Sequence, residues 1–212
     1  MGRVTDLENL LFANVSDDLL FDTTQCVIQA YSEAYDECRD DYPGPVAHDL
    51  YPDLRRAKFE RNWSARAARF SDVKVTTERN AQNNCYHTRV TSGIVVLTAS
   101  AVEAQQSLVR DAEFRKSLAG ASQLEIFGAD ADPTASEFLY GIVLHGPLGA
   151  GLLRTPQFIK VVIPANDCAS YLVQVDLVKR FPVLRDVLAN VSDERVQEPA
   201  VRLRRRKDEK AG

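Results

Sequence analysis

Two acids and a lysine are the first residues whose types and spacing suit chemistry. Pro52-Asp53 and Asp72-Val73-Lys74 fit a P-D, gap, D-x-K arrangement. Such a set can hold Mg²⁺ between Asp53 and Asp72 while Lys74 polarises the attacking water, with Glu33 or Glu37 completing the ligands. The geometric demand is strict. Mg²⁺ takes oxygen ligands at about 2.0–2.1 Å, so Asp53 and Asp72 must approach within about 8 Å of each other. The intervening residues read as helix, where this chemistry wants paired strands. The competing account is a helix-capping Asp53 and a surface hairpin carrying Asp72.

Between those acids lies LRRAKFERNWSARAARF, residues 54–70, with six basic side chains against Glu60. The tail motif RLRRRK, with Arg204, Arg205 and Arg206, is the other cationic concentration, and phosphate backbones are the commonest partner for such patches. On a helical wheel Arg55, Lys58, Arg61, Arg66 and Arg69 occupy an arc of about 140°, beside a stripe of Phe59, Trp63 and Phe70. Aromatics at that spacing read as core anchors rather than base-stacking platforms. The small side, Ala57, Ala65 and Ala68, would let this helix lie close to another.

The remaining reactive groups are scattered. His48 sits in an acidic turn, and His145 ends a strand with no nucleophile motif beside it. Cys85 and His87 alternate along a strand, about 6–7 Å apart, too far for a catalytic hydrogen bond. Cys26, Cys38, Cys85 and Cys168 form no C-x-x-C pair and read as reduced thiols. No metal site is assigned. The loop HGPLGAGLLRTP is rich in glycine but lacks the order of a P-loop or a dinucleotide site, so it reads as a connection, and nothing in the sequence demands that its Arg154 face a ligand.

The elements that must position these residues follow from period and breakers. Ser16 is an N-cap with Asp17 and Asp18 in the first helical turn. From there Leu20, Val27, Ile28, Tyr31, Ala34, Tyr35 and Cys38 fall on one face, and Glu33, Asp36, Glu37, Asp40 and Asp41 form an acidic stripe opposite. DYPGPVAHDLYPD ends that helix, and a second starts near Pro52 or Asp53. From Asp72 the period shifts towards two. DVKVTTE and CYHTRVT alternate across RNAQNN, and GIVVLT, QLEIF, EFLYGIVLHG, FIKVVIP and SYLVQVDL read as further strands. VRDAEFRKSLAG is helical, with Gly120 as its C-terminal cap, and a last helix runs from Pro182 to about Asn190. Most connections are too short for crossovers, so the sheet is mostly antiparallel. The fold class is α+β: two long N-terminal helices, then a five- or six-stranded sheet with one or two short helices.

Charge is segregated along this order. Residues 1–53 hold twelve acids and two arginines, residues 54–70 carry a net +5, and the tail from Arg195 has seven bases and three acids, although the chain's net charge is −4. A charge-paired helical hairpin, acidic helix against basic helix, is therefore the default. The chain is divided as a helical region 1–70, a sheet core 71–191 continuous with it, and a basic disordered tail 192–212. No signal segment or membrane span is visible, which places the protein in the cytoplasm. The expected function is a non-enzymatic binding or regulatory protein without a cofactor. The partners that its charge suggests are DNA or RNA on the basic helix and tail. The alternatives are a Mg²⁺-dependent nuclease using Asp53, Asp72 and Lys74, or a protein-binding subunit that docks on a partner or forms a homodimer.

Overall fold

The structure is a computed structural model that describes residues 2–79, 86–123, 138–147, 151–185 and 188. The expected strand at QLEIF, Cys85, the middle of the glycine loop, the end of the last helix and the basic tail lie outside the described residues.

Three helices precede the sheet: α1 (Gly2–Asn14), α2 (Asp17–Asp41) and α3 (Gly44–Ala67). The first was not read from the sequence, although Leu7, Leu11 and Val15 recur at the helical interval and are all buried. Ser16 caps α2 as expected, its Oγ accepting the Leu19 N–H at 3.2 Å. The α2 helix ends at Asp41, but the proline-rich stretch then starts a helix instead of extending a loop. Pro43 occupies the N-cap and Pro45 the first turn, where a helix has no amide hydrogen to lose. Pro52 is inside α3. The helix therefore begins eight or nine residues before the expected start.

The sheet has six strands in the order β1-β2-β3-β4-β5-β6: β1 (Val73–Arg79), β2 (Tyr86–Ser92), β3 (Val95–Ala101), β4 (Leu139–Gly146), β5 (Phe158–Pro164) and β6 (Tyr171–Asp176). Every neighbouring pair is antiparallel except β3 and β4, which run parallel, with Val95 opposite Leu139 and Ala101 opposite His145. A parallel pair needs a crossover, and here it contains α4 (Glu113–Gln123). Gly120 lies within α4 rather than at its cap. The short helix α5 (Leu177–Arg180) follows β6, and residues 183–185 are also helical.

Alternation across the central strands divides the interior into two layers. Val95, Leu97, Leu139, Val143, Ile159 and Val161 pack with Leu20, Val27, Tyr31, Phe59 and Trp63 of the helices. Val96, Tyr140, Ile142, Leu144 and Val162 point the other way and pack with Val102, Val109 and Ala119 of the crossover. Strand β4 is buried along its whole length, because both sides are covered. The helices and the sheet thus share one core. No described helix is long and apolar enough to cross a membrane.

Candidate functional site

The α2–α3 hairpin uses most of the basic arc. Lys58 Nζ lies 2.7 Å from Glu37, Arg61 3.3 Å from Glu33, and Arg66 3.8 Å from Asp22, where it also donates 2.8 Å hydrogen bonds to Gln25 and Gln29. Arg69 is exposed, and Arg204, Arg205 and Arg206 lie outside the described residues. The aromatics are core: Phe59 stacks on Trp63 with ring centroids 5.2 Å apart, and the Trp63 indole donates to Thr23 Oγ1 at 2.9 Å. Ala57, Ala65 and Ala68 face solvent, so the expected close-packing side is the wrong one. The buried side of α3 is instead a ladder at every fourth residue: Ala47, Tyr51, Arg55, Phe59, Trp63 and Ala67. One rung, Arg55, is charged.

The structure does not bring Asp53, Asp72 and Lys74 together. From Asp53 to Ala67 the α3 axis advances about 21 Å at 1.5 Å per residue. Asp72 and Lys74 lie at the start of β1, where Val73 pairs with Ser92, whereas Asp53 lines the same cleft as Tyr86 at the opposite end of β2. Among the described residues no group of three or more His, Cys, Asp or Glu is placed to hold a metal ion. Asp53 makes only a loose pair with Arg56 at 3.6 Å. His48 is exposed, and Arg154 reaches back to Asp36 at 3.6 Å. Cys26 and Cys38 are free and buried, and Cys168 is free and half-buried. Burial pushes the Cys26 thiol up to about 12, which removes it from thiolate chemistry.

The residues that do converge surround a cleft of about 370 Å³ between α3 and one end of the sheet. Because β3 and β4 are parallel, their carboxyl ends lie side by side and present Ala99, Ser100 and Ala101 next to His145. Antiparallel β2 brings its first residues, Tyr86 and His87, to the same end. The crossover leaving β3 then passes over this end and contributes Arg110, Asp111, Phe114 and Arg115 at the start of α4. Helix α3 closes the cleft with Arg55, Arg56, Phe59 and Glu60. The single parallel pair therefore creates the site, as crevices beyond strand ends do in other open sheets.

Arg55 lies at the base and is 2% exposed. Its guanidinium carbon is 4.4 Å from the Tyr31 ring centroid and 5.1 Å from that of Tyr51, an arrangement in which the ring faces attract the cation. Among the described residues no carboxylate comes within 4.0 Å of it. The Tyr51 hydroxyl donates to the Leu153 carbonyl, and the Tyr31 hydroxyl meets His145 Nδ1 at 3.1 Å. Burial, with the nearby Arg55 charge adding to it, depresses His145 to about 3, so the imidazole stays neutral. Burial likewise raises the Tyr31 hydroxyl above its ordinary range.

Nearer the mouth, Glu60 accepts the Thr88 N–H at 2.7 Å, and burial raises its carboxyl above the ordinary carboxylate range despite that bond. His87 stacks on Phe114 with centroids 4.1 Å apart. Neither of its ring nitrogens has a hydrogen-bond partner, the Glu78 carboxylate standing 3.9 Å from Nε2, and burial lowers its pKa. Arg115 is lowered by burial too, and its Nε is buried without a partner. A pocket with apolar walls and several perturbed, incompletely satisfied polar groups is the usual form of a ligand site.

The sequence did contain a signal for Arg55. It precedes Phe59 by four residues and Trp63 by eight, which places it on the apolar stripe rather than among the outer cations. Counting it with the basic arc concealed this. Glu60, Phe114 and Arg115 carried no such signal, since only the β3–β4 crossover brings the start of α4 to the sheet end that α3 borders. Comparisons of the chain with protein-family models, with curated proteins and with solved structures found no match.

Proposed function

We propose that this chain is a binding protein, with no catalytic step, that holds a small organic anion in the cleft over Arg55. The observation that carries the reading is a buried guanidinium with no carboxylate beside it among the described residues. An unpaired ion in an apolar interior costs several kcal/mol even after relaxation. Two aromatic faces, at about 0.5–2 kcal/mol each, and the hydrogen bonds that Arg55 donates to the Tyr31 and Tyr51 hydroxyls recover part of that, but none of them supplies a counter-charge. An anion entering the cleft supplies the missing counter-charge, and a planar guanidinium fork suits an oxyanion.

A nucleic-acid or protein partner on the outer face of α3 has less support, because Lys58, Arg61 and Arg66 are already engaged by α2. Thermal unfolding with small organic acids and their neutral amide analogues tests the proposal. The acids should raise the melting temperature of the native chain and leave Arg55→Met unmoved. Equal response of both proteins, or tight DNA binding with a steep salt dependence that Arg55→Met leaves intact, would replace it.

A further inference from the structure

We infer that the ligand is a monocarboxylate on a flat apolar body, seated with its carboxylate on Arg55 and its body between Phe59 and the stacked His87–Phe114 pair. This rests on the cleft reading above and adds the head group, the charge and the shape.

The head group follows from the donors available at the base. The Tyr51 hydroxyl is committed to Leu153, and the Tyr31 hydroxyl pairs with His145. Both hydroxyls also accept from Arg55, whose remaining N–H groups are the main donors left there. One guanidinium fork satisfies the two oxygens of a carboxylate, whereas a phosphate brings a third oxygen that would be buried without a donor.

The charge follows from the walls. Four arginines line the cleft, but so do Asp53, Glu60 and Asp111. Arg56 stands 3.6 Å from Asp53, and Asp111 is held at 2.8 Å by Lys116 outside the cleft. The Arg56 charge, and more weakly that of Arg115, act on Glu60. Arg110 is exposed, so among the described residues the one buried cleft cation without a facing acid is Arg55, and a dianion would place its second charge against the Glu60 side.

The shape follows from the space. Ala99 and Ala101 keep the sheet side low, while Phe59 and the His87–Phe114 stack form flat walls. At about 370 Å³ the cleft sits at the small end of ligand pockets, which commonly run to about 300–1,000 Å³. A flat ring fits such a slot and gains from edge or face contact with the aromatics.

Trp63 is the chain's single tryptophan and stacks on Phe59, so its fluorescence reports on the cleft wall. Titrations with benzoate, acetate, phenyl phosphate and phthalate read out the assignment. Benzoate should saturate, with acetate, phenyl phosphate and phthalate each weaker by about tenfold or more. Arg55→Lys should weaken benzoate by about tenfold, because an ammonium cannot make the two-pronged contact. Phe114→Ala should weaken benzoate but not acetate, and its circular dichroism melt confirms folding. Phenyl phosphate or phthalate binding as tightly as benzoate, with loss in Arg55→Met, would overturn the monocarboxylate while leaving the anion cleft standing. If none of the four gives an Arg55-dependent signal, the cleft reading falls with it.

Discussion

Replacing Arg55 by methionine should make the unliganded protein more stable. Methionine keeps an unbranched stem that can fill an irregular space, so the substitution mainly removes the charge and its fork. On the loss side are two cation–aromatic contacts, at 4.4 and 5.1 Å, worth about 1–4 kcal/mol together, and hydrogen bonds to the two tyrosine hydroxyls worth about 1 kcal/mol net each. On the gain side is the desolvation of a guanidinium that no carboxylate among the described residues offsets, a penalty of several kcal/mol. The balance favours methionine by about 1 kcal/mol. In a chain of this size each kcal/mol moves the melting temperature by about 2–4 °C, so a rise of about that size is expected. Urea unfolding followed through Trp63 fluorescence, without added anions, measures the difference, and the denaturant slope should not change. Saturating anion should reverse the order, since ligand at a hundred times its dissociation constant adds about 2.7 kcal/mol to the native chain alone. A loss of more than about 1 kcal/mol in unliganded Arg55→Met would mean that the tyrosine contacts outweigh desolvation, and that Arg55 is a structural residue rather than a receptor.

Two further outcomes follow from the same interior. His145 is depressed to about 3 when folded and titrates near 6.5 when unfolded, so its contribution is complete above pH 6.5. That contribution is lost as pH falls towards about 3, by about 1.4 kcal/mol per pH unit, because only the unfolded chain takes the proton. In His145→Asn, which keeps a polar partner for Tyr31, the acid limb of the stability profile should flatten; an unchanged limb would contradict the burial argument. Thr23→Val should cost about 1–3 kcal/mol and shift the Trp63 emission, because it strands the buried indole N–H that now donates to Thr23 Oγ1. Unchanged emission and stability would show that the bond contributes nothing.

Local signals were the readable part of this sequence. The Ser16 cap, the period-two runs and the acidic and basic stripes depend on neighbours within a few residues, and they led to the α+β class and the helix pairing. Pro43, Pro45 and Pro52 misled, because a proline that stops one helix can equally open the next, and the residues themselves do not distinguish the two. The cleft was the least legible feature. Arg55 is local, but Glu60, His87, Arg115 and His145 come from four elements that meet only after β4 pairs with β3. No pattern of spacing carries that information.

The strand order has a consequence for how the site comes into being. Each β-strand neighbours the next in sequence, and β1–β2, β2–β3, β4–β5 and β5–β6 can zip up through nearby chain. Only the β3–β4 pairing must wait for the whole segment from 102 to 138 to close, and long loops are the slow entropic step of folding. The helical hairpin with β1–β3, and the β4–β6 meander, should therefore form as two early halves. The cleft is built where they join, so binding competence should appear last in refolding, and an anion should slow unfolding more than it speeds folding.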